Sequence, residues 1–194
     1  MSPVPDYKYD VFFSYKRHHV AMDWTRGVHR LLSFWLQQEI DREVKMFVDE
    51  ETIETGDRWP EVLREALKGS RCMVSIWSPA YFRSNWCFSE WASFLEREKR
   101  LKMRSHGLIA PLVFHDGERF PRDAQIVQWT NVEKYASTAR AFWDSPRVIE
   151  LEDEIKKFAC AVAKMVASAP PFEEDWPIIE MAAPSAGKIG LERL

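Results

Sequence analysis

Short runs of β-branched and aromatic residues alternate along this chain with longer segments of helical periodicity, and that alternation limits the fold most. Tyr9–Tyr15, Val44–Val48, Cys72–Trp77 and Gly107–Phe114 are near-continuous apolar runs, the pattern of strands covered on both faces. Pro111 conflicts with the fourth, because proline lacks a ladder donor, yet the residues around it still predict a strand. A weaker strand is expected around Gln125–Trp129. Between these runs Val20, Trp24, Val28, Leu31, Leu32, Trp35, Leu36 and Ile40 recur at threes and fours. They predict an amphipathic helix, weakened by Gly27. Trp59, Val62, Leu63, Ala66 and Leu67 mark the inward stripe of a second helix. Asp57 is its expected cap, Pro60 sits in its first turn and Gly69 stops it. A third helix runs from the Ser84 N-cap to about Arg100, and a closing helix spans Val148–Val166.

Strands alternating with helices predict a parallel sheet with helices on both faces. With five strands, a flavodoxin-like three-layer α/β fold in strand order 2-1-3-4-5 is expected. Ligands of such sheets settle outside the carboxyl ends of strands one and three, where the winding reverses. Ser14-Tyr15-Lys16-Arg17, the acidic loop Asp49–Arg58 and Ser78-Pro79 flank that corner.

Bulk properties narrow the function by exclusion. The 194 residues, 46% hydrophobic, are enough for one core and a tail. A net charge of −3 without a basic tract gives no reason to expect a nucleic-acid partner. Three cysteines, Cys72, Cys87 and Cys160, lie in apolar segments and read as buried thiols of a reducing compartment. No signal-peptide pattern opens the chain, and no apolar run approaches the ~20 residues that span a bilayer. A cytoplasmic protein without a membrane partner is the expectation. G-x-G-x-x-G and Walker loops are missing from the sequence, as are C-x-x-C, H-E-x-x-H and G-x-S-x-G, so no metal site is expected. His18 and His19 read as solvated loop residues, and His29, His106 and His115 carry no partner pattern.

The segment Ser78-Pro79-Ala80-Tyr81 through Trp86-Cys87-Phe88-Ser89-Glu90 is where chemistry concentrates. Trp86 and Glu90 are one helical turn apart, which sets an indole beside a carboxylate on one face. Taken alone, Glu90 is a solvated helix carboxylate and Trp86 one more packing aromatic among nine tryptophans. Cys87 and Trp91 fall toward the core. The mixed run Glu96–Arg104 reads as a solvated helix end.

These residues resemble a known family. Tyr9–Tyr15 is similar to the first signature box of Toll/interleukin-1 receptor (TIR) domains. Phe47-Val48-Asp49 with Ile53, Gly56 and Trp59 resembles the second strand and BB loop. Ser78-Pro79-Ala80-Tyr81 and Ser84–Glu90 resemble the third-strand region and its W-C-x-x-E segment. The likeness runs in the family's order over residues 7–168, between an extension at 1–6 and a tail at 169–194. Lys16 departs from the arginine of many members. The resemblance implies either an enzyme that cleaves NAD+ between nicotinamide and ribose or a non-catalytic adaptor working by TIR–TIR contact. In the enzymes the essential acid falls on Glu90. Phe13, Ser14, Tyr15, Arg17, Asp49, Gly56 and Trp86 are the expected substrate-binding residues. A CheY-like receiver is disfavoured, because the paired acids that follow its first strand are missing.

One carboxylate is enough for this reaction. Ordinary glycosidases need a second to protonate the leaving oxygen. The nicotinamide of NAD+ is already cationic and departs neutral, so what remains is to stabilise the ribosyl oxocarbenium, which a pre-placed anion does. Glu90 is therefore expected to lie open in a groove, with Trp86 stacked on the substrate's ring. Lys16 and Arg17 would meet the pyrophosphate, and the Asp49–Arg58 loop would form a lid pivoting at Gly56. NAD+ enters as substrate, with no cofactor. Self-association would complete the site, and a separately encoded effector in anti-phage signalling is the expected setting. The tail, with Phe172, Trp176, Ile178 and Ile179, is expected either to strap onto the domain or to dock a partner.

Overall fold

The structure is a computed structural model that describes residues 6–48, 61–103 and 107–180. Five parallel strands form one sheet in the order β2-β1-β3-β4-β5. They are β1 (Tyr9–Tyr15), β2 (Met46–Val48), β3 (Ser70–Trp77), β4 (Ile109–Val113) and β5 (Thr130–Asn131). The flavodoxin-like order is the one that the alternation of elements predicts.

Strand side chains alternate between two apolar layers, as a period of two requires. Val11, Phe13, Val74 and Leu112 face the first layer with Trp24, Val28 and Leu32 of α1 (Met22–Glu39) and Ile155 and Val162 of α6 (Arg147–Ala167). Phe12, Met73, Trp77 and Val113 face the second with α2 (Glu61–Lys68), α3 (Pro79–Phe82) and α4 (Asn85–Arg100). Asp10, 2% exposed, ties β1 to the β2 connection. It accepts from Arg42 Nη1 at 2.8 Å and Nη2 at 2.5 Å, and from the Lys45 backbone N–H at 3.0 Å. Burial pushes this carboxyl up, but those donors outweigh it and hold it below the ordinary range.

Pro111 does sit in a strand, and the backbone shows how. Leu108 O accepts from Met73 N, and Phe114 N donates to Trp77 O, both across to β3. The even-numbered residues of β4 therefore turn their polar groups to β3, and Pro111 turns its missing donor the other way. On that side β5 pairs only with Leu112 and Val113, so no ladder bond is lost.

Several expectations shift. β5 begins at Thr130, just past the Gln125–Trp129 stretch where strand was expected; a short helix, α5 (Arg122–Gln125), ends where that stretch begins and 126–129 are turn and irregular. Val20 precedes α1 in a 3-10 turn and is 68% exposed. Val62 is equally exposed, because Leu63, Ala66 and Leu67 define the buried stripe of α2 and Val62 stands off it. Ser84 occupies the N-cap of α4 without a side-chain cap bond. Ser78 does cap, accepting from Tyr81 N at 3.3 Å at the start of α3. Cys72 and Cys87 are buried, whereas Cys160 is half-exposed.

Arg97 overturns the reading of Glu96–Arg104 as a solvated end, being 0% exposed. It donates to Leu67 O at 3.0 Å and Ser70 O at 2.9 Å, and lies between the rings of Phe94 and Trp176 at 4.4 and 4.8 Å. Burial pulls its guanidinium down to about 10. Trp176 belongs to residues 169–180, which run back over the second layer. Ile179 N donates to Ser93 Oγ at 2.9 Å, and Arg100 pairs with Glu173 and Asp175. Of the two roles expected for the tail, these residues take the strap. Among the described residues, no helix is long and apolar enough to cross a membrane.

Candidate active site

At the carboxyl end of β1 the sheet splits the expected site between its faces. Consecutive strand residues point to opposite sides. Ser14 follows Phe12 into the second layer, toward Tyr81 and α4. Phe13 and Tyr15 point into the first, toward α1. Adjacent positions 13, 14 and 15 therefore do not share one wall.

On the second-layer side, Ser14 donates to Glu90 Oε2, and its oxygen lies 2.7 Å from Tyr81 Oη. Glu90 is 5% exposed, Ser14 2% and Tyr81 0%. The expectation of a carboxylate lying open in a groove is not what the fold produces. Glu90 leaves α4 on its inward face, one turn after Trp86 and beside the buried Cys87, so the helix that presents it also covers it. Burial pushes the Cys87 thiol up, Glu90 adds to that and Lys16 opposes it, which places an ammonium within electrostatic reach. Burial likewise raises the Tyr81 phenol, keeping it a donor at neutral pH. Trp86 is half-buried against the second layer.

On the first-layer side, Phe13, Tyr15 and Arg17 line a cavity of about 390 Å³ together with Val48 and α1. His18, His19, Arg26 and His29 also line it, so three of the chain's five histidines meet two arginines there. His29 stacks edge-on with Phe13 at 5.1 Å. A second cavity, about 610 Å³, lies along β4 and α6. Glu90 lines neither. Asp49 and Gly56, the expected lid, the BB-loop residues and the Asp57 cap lie outside the described residues. Among the described residues, no group of three metal-ligating side chains converges.

Sequence reasoning missed Tyr81 and Ser75 as site neighbours. Ser75 is the register partner of Ser14 and is fully buried. The available signal was parity: in an apolar strand, two serines on the face that meets the Glu90 helix.

Residues 11–143 match the TIR domain family model. The probable 2′ cyclic ADP-D-ribose synthase BdTIR of Brachypodium distachyon is 30% identical over 61% of this chain and 52% of that protein. The NAD(+) hydrolase TirS of Staphylococcus aureus is 30% identical over 54% of this chain and 34% of its own length. This chain thus spans about half or less of those relatives. Among solved structures, the TIR domain of the Toll-related receptor TRR-2 from Hydra magnipapillata aligns over 75% of this chain and 99% of that one. Its TM-score is 0.45 at 20% identity. The matched span covers more than half of the sequence, and the chain belongs to the TIR domain family.

Proposed function

We propose that this protein cleaves NAD+ at the nicotinamide–ribose bond, with Glu90 as the carboxylate that stabilises the transition state. The observation that carries the reading is the placement of Glu90: the acid of the W-C-x-x-E segment, tethered to the end of β1 where the winding reverses. Two relatives whose names state NAD(+) hydrolysis and cyclic ADP-ribose synthesis support it. In the step, the ribose C1′–N1 bond breaks and its electron pair leaves on nicotinamide, which departs neutral. The ribosyl cation is captured either by water, which loses a proton, or by a nucleophile of the ADP-ribose itself. Trp86 is the stacking surface for the ring. Arg17, in the basic cavity at the same strand end, is the contact for the pyrophosphate. NAD+ is substrate, and no cofactor takes part. Assembly through TIR–TIR contacts and a role in immune, anti-phage signalling with a separate effector complete the proposal.

A second reading has its own observation. Glu90 is 5% exposed and satisfied by Ser14, which suits an inert structural acid in a module that only binds other TIR domains. Concentrated protein incubated with NAD+ separates the two. The enzyme releases nicotinamide, and Glu90→Gln slows release about 10²–10³-fold, the scale of losing one pre-placed electrostatic group. Wild-type protein that releases none in any assembled state leaves the binding module.

A further inference from the structure

The second-layer face of the sheet is apolar except at its site end. There Ser14 and Ser75 stand side by side, and α3 and α4 bring Tyr81 and Glu90 against Ser14. Burying hydroxyls costs free energy unless they are hydrogen-bonded, and Ser14, Tyr81 and Glu90 satisfy one another. The direction of the bonds follows from counting hydrogens. Ser14 has one, and it goes to Glu90, which only accepts as the ionised carboxylate that the proposed reaction needs. The 2.7 Å contact to Tyr81 must then be donated by the phenol.

We propose that Ser14 and Tyr81 are positioning residues for Glu90: the phenol fixes the Ser14 hydroxyl, which in turn fixes Glu90 Oε2 and the direction the carboxylate faces. Ser14 then acts through Glu90 and is not a substrate contact. The inference rests on Glu90 being the reacting acid. The groups around it include Tyr81 of α3, Cys87 of α4, Ser14 of β1 and Lys16 beyond β1. The first two are held protonated by burial, and the Lys16 ammonium acts electrostatically on Cys87.

Four variants test this: Ser14→Ala, Ser14→Thr, Tyr81→Phe and the Ser14→Ala/Tyr81→Phe double. Thermal melting first confirms that each is folded. The readouts are kcat, KM for NAD+, the acid limb of the rate profile, and a 13C NMR titration of the Glu90 carboxyl. Ser14→Ala is expected to lower kcat about tenfold, with KM within about twofold, because the lost interaction orients the acid and does not bind substrate. Removing a donor from the charged form raises a carboxyl pKa, so the acid limb and the NMR midpoint both move to higher pH. Ser14→Thr keeps the hydroxyl and restores both. Tyr81→Phe shifts them less, in the same direction, and adds nothing in the Ser14→Ala background, since it acts through that hydroxyl.

A raised KM with unchanged kcat and unchanged NMR midpoint makes Ser14 a substrate contact and overturns the proposal, as does additivity of the two substitutions. If the wild type releases no nicotinamide, the enzymatic reading falls. The NMR titration still decides separately whether the two hydroxyls hold Glu90.

Discussion

Gly27 sits in the interior of α1, where glycine costs up to ~1 kcal/mol relative to alanine. On sequence alone it reads as a weak point in the helix. The structure gives the reason for it: a Cβ at that position would lie 2.0 Å from Cζ2 of Trp143, which packs across α1 from a later segment. The obstruction is a ring wall and not the end of a flexible chain, so the helix cannot accept the methyl without moving an indole. Gly27→Ala therefore sets a propensity gain of up to ~1 kcal/mol against an overpacking cost of ~1–3 kcal/mol, and overpacking wins. The expected outcome is a net loss of about 1 kcal/mol, read as a lower denaturant midpoint at unchanged slope. Trimming the ring in Gly27→Ala/Trp143→Leu is expected to make the pair less destabilised than the sum of the single changes.

The strap at 169–180 is the element whose role the sequence left open between the domain and a partner. Trp176, 2% exposed, closes over the Arg97 guanidinium, and no carboxylate is needed beneath it because two backbone carbonyls and two ring faces share the charge. Trp176→Ala removes a buried indole and admits water to that charge, and a loss of ~3–5 kcal/mol is expected. Arg100→Ala breaks the solvent-accessible pairs with Glu173 and Asp175, a hydrogen bond to Asp175 O and a contact over the Trp176 ring at 5.7 Å, and is expected to cost about 1 kcal/mol. Thermal melting of the two variants checks the ordering; equal shifts would mean that the strap is held by its rim charges. The contrast shows what local sequence carries. β1 and β3 were legible because a continuous apolar run needs no knowledge of its partners, and α1 and α6 because the helical period repeats within one segment. Arg97 was not, since its burial depends on an indole far along the chain. Glu90 stands out through its likeness to the W-C-x-x-E segment; its spacing alone reads as a solvated helix carboxylate and does not show its burial. Phe13, Ser14 and Tyr15 are expected together as substrate-binding residues, and what the letters do not show is that a strand sends Ser14 to the opposite face from the other two. Tyr81 lies in the segment where chemistry concentrates, but its contact with Ser14 is visible only once α3 brings the phenol back under β1.

For the molecule as a whole, the burial of Glu90 sets a condition on catalysis. Under the proposed NAD+ cleavage, a carboxylate 5% exposed meets a ribose only after its cover opens on the side away from Ser14 and Tyr81, so the reacting conformation is more open than this one. If the closed form is favoured 99 to 1, the apparent affinity for substrate falls about 100-fold, and anything that binds the open form better recovers it. Neighbouring subunits are the candidate for that role under the proposed TIR–TIR assembly. A population shift of this kind depends on concentration, whereas a site that opens unaided does not. At sub-saturating NAD+, nicotinamide release per mole of protein is therefore expected to climb steeply as the protein is concentrated or crowded, and to collapse on dilution. Light scattering on the same samples should show activity tracking the assembled fraction. Specific activity that stays flat across a hundredfold dilution would mean that the single subunit opens by itself, and the assembly requirement would be withdrawn.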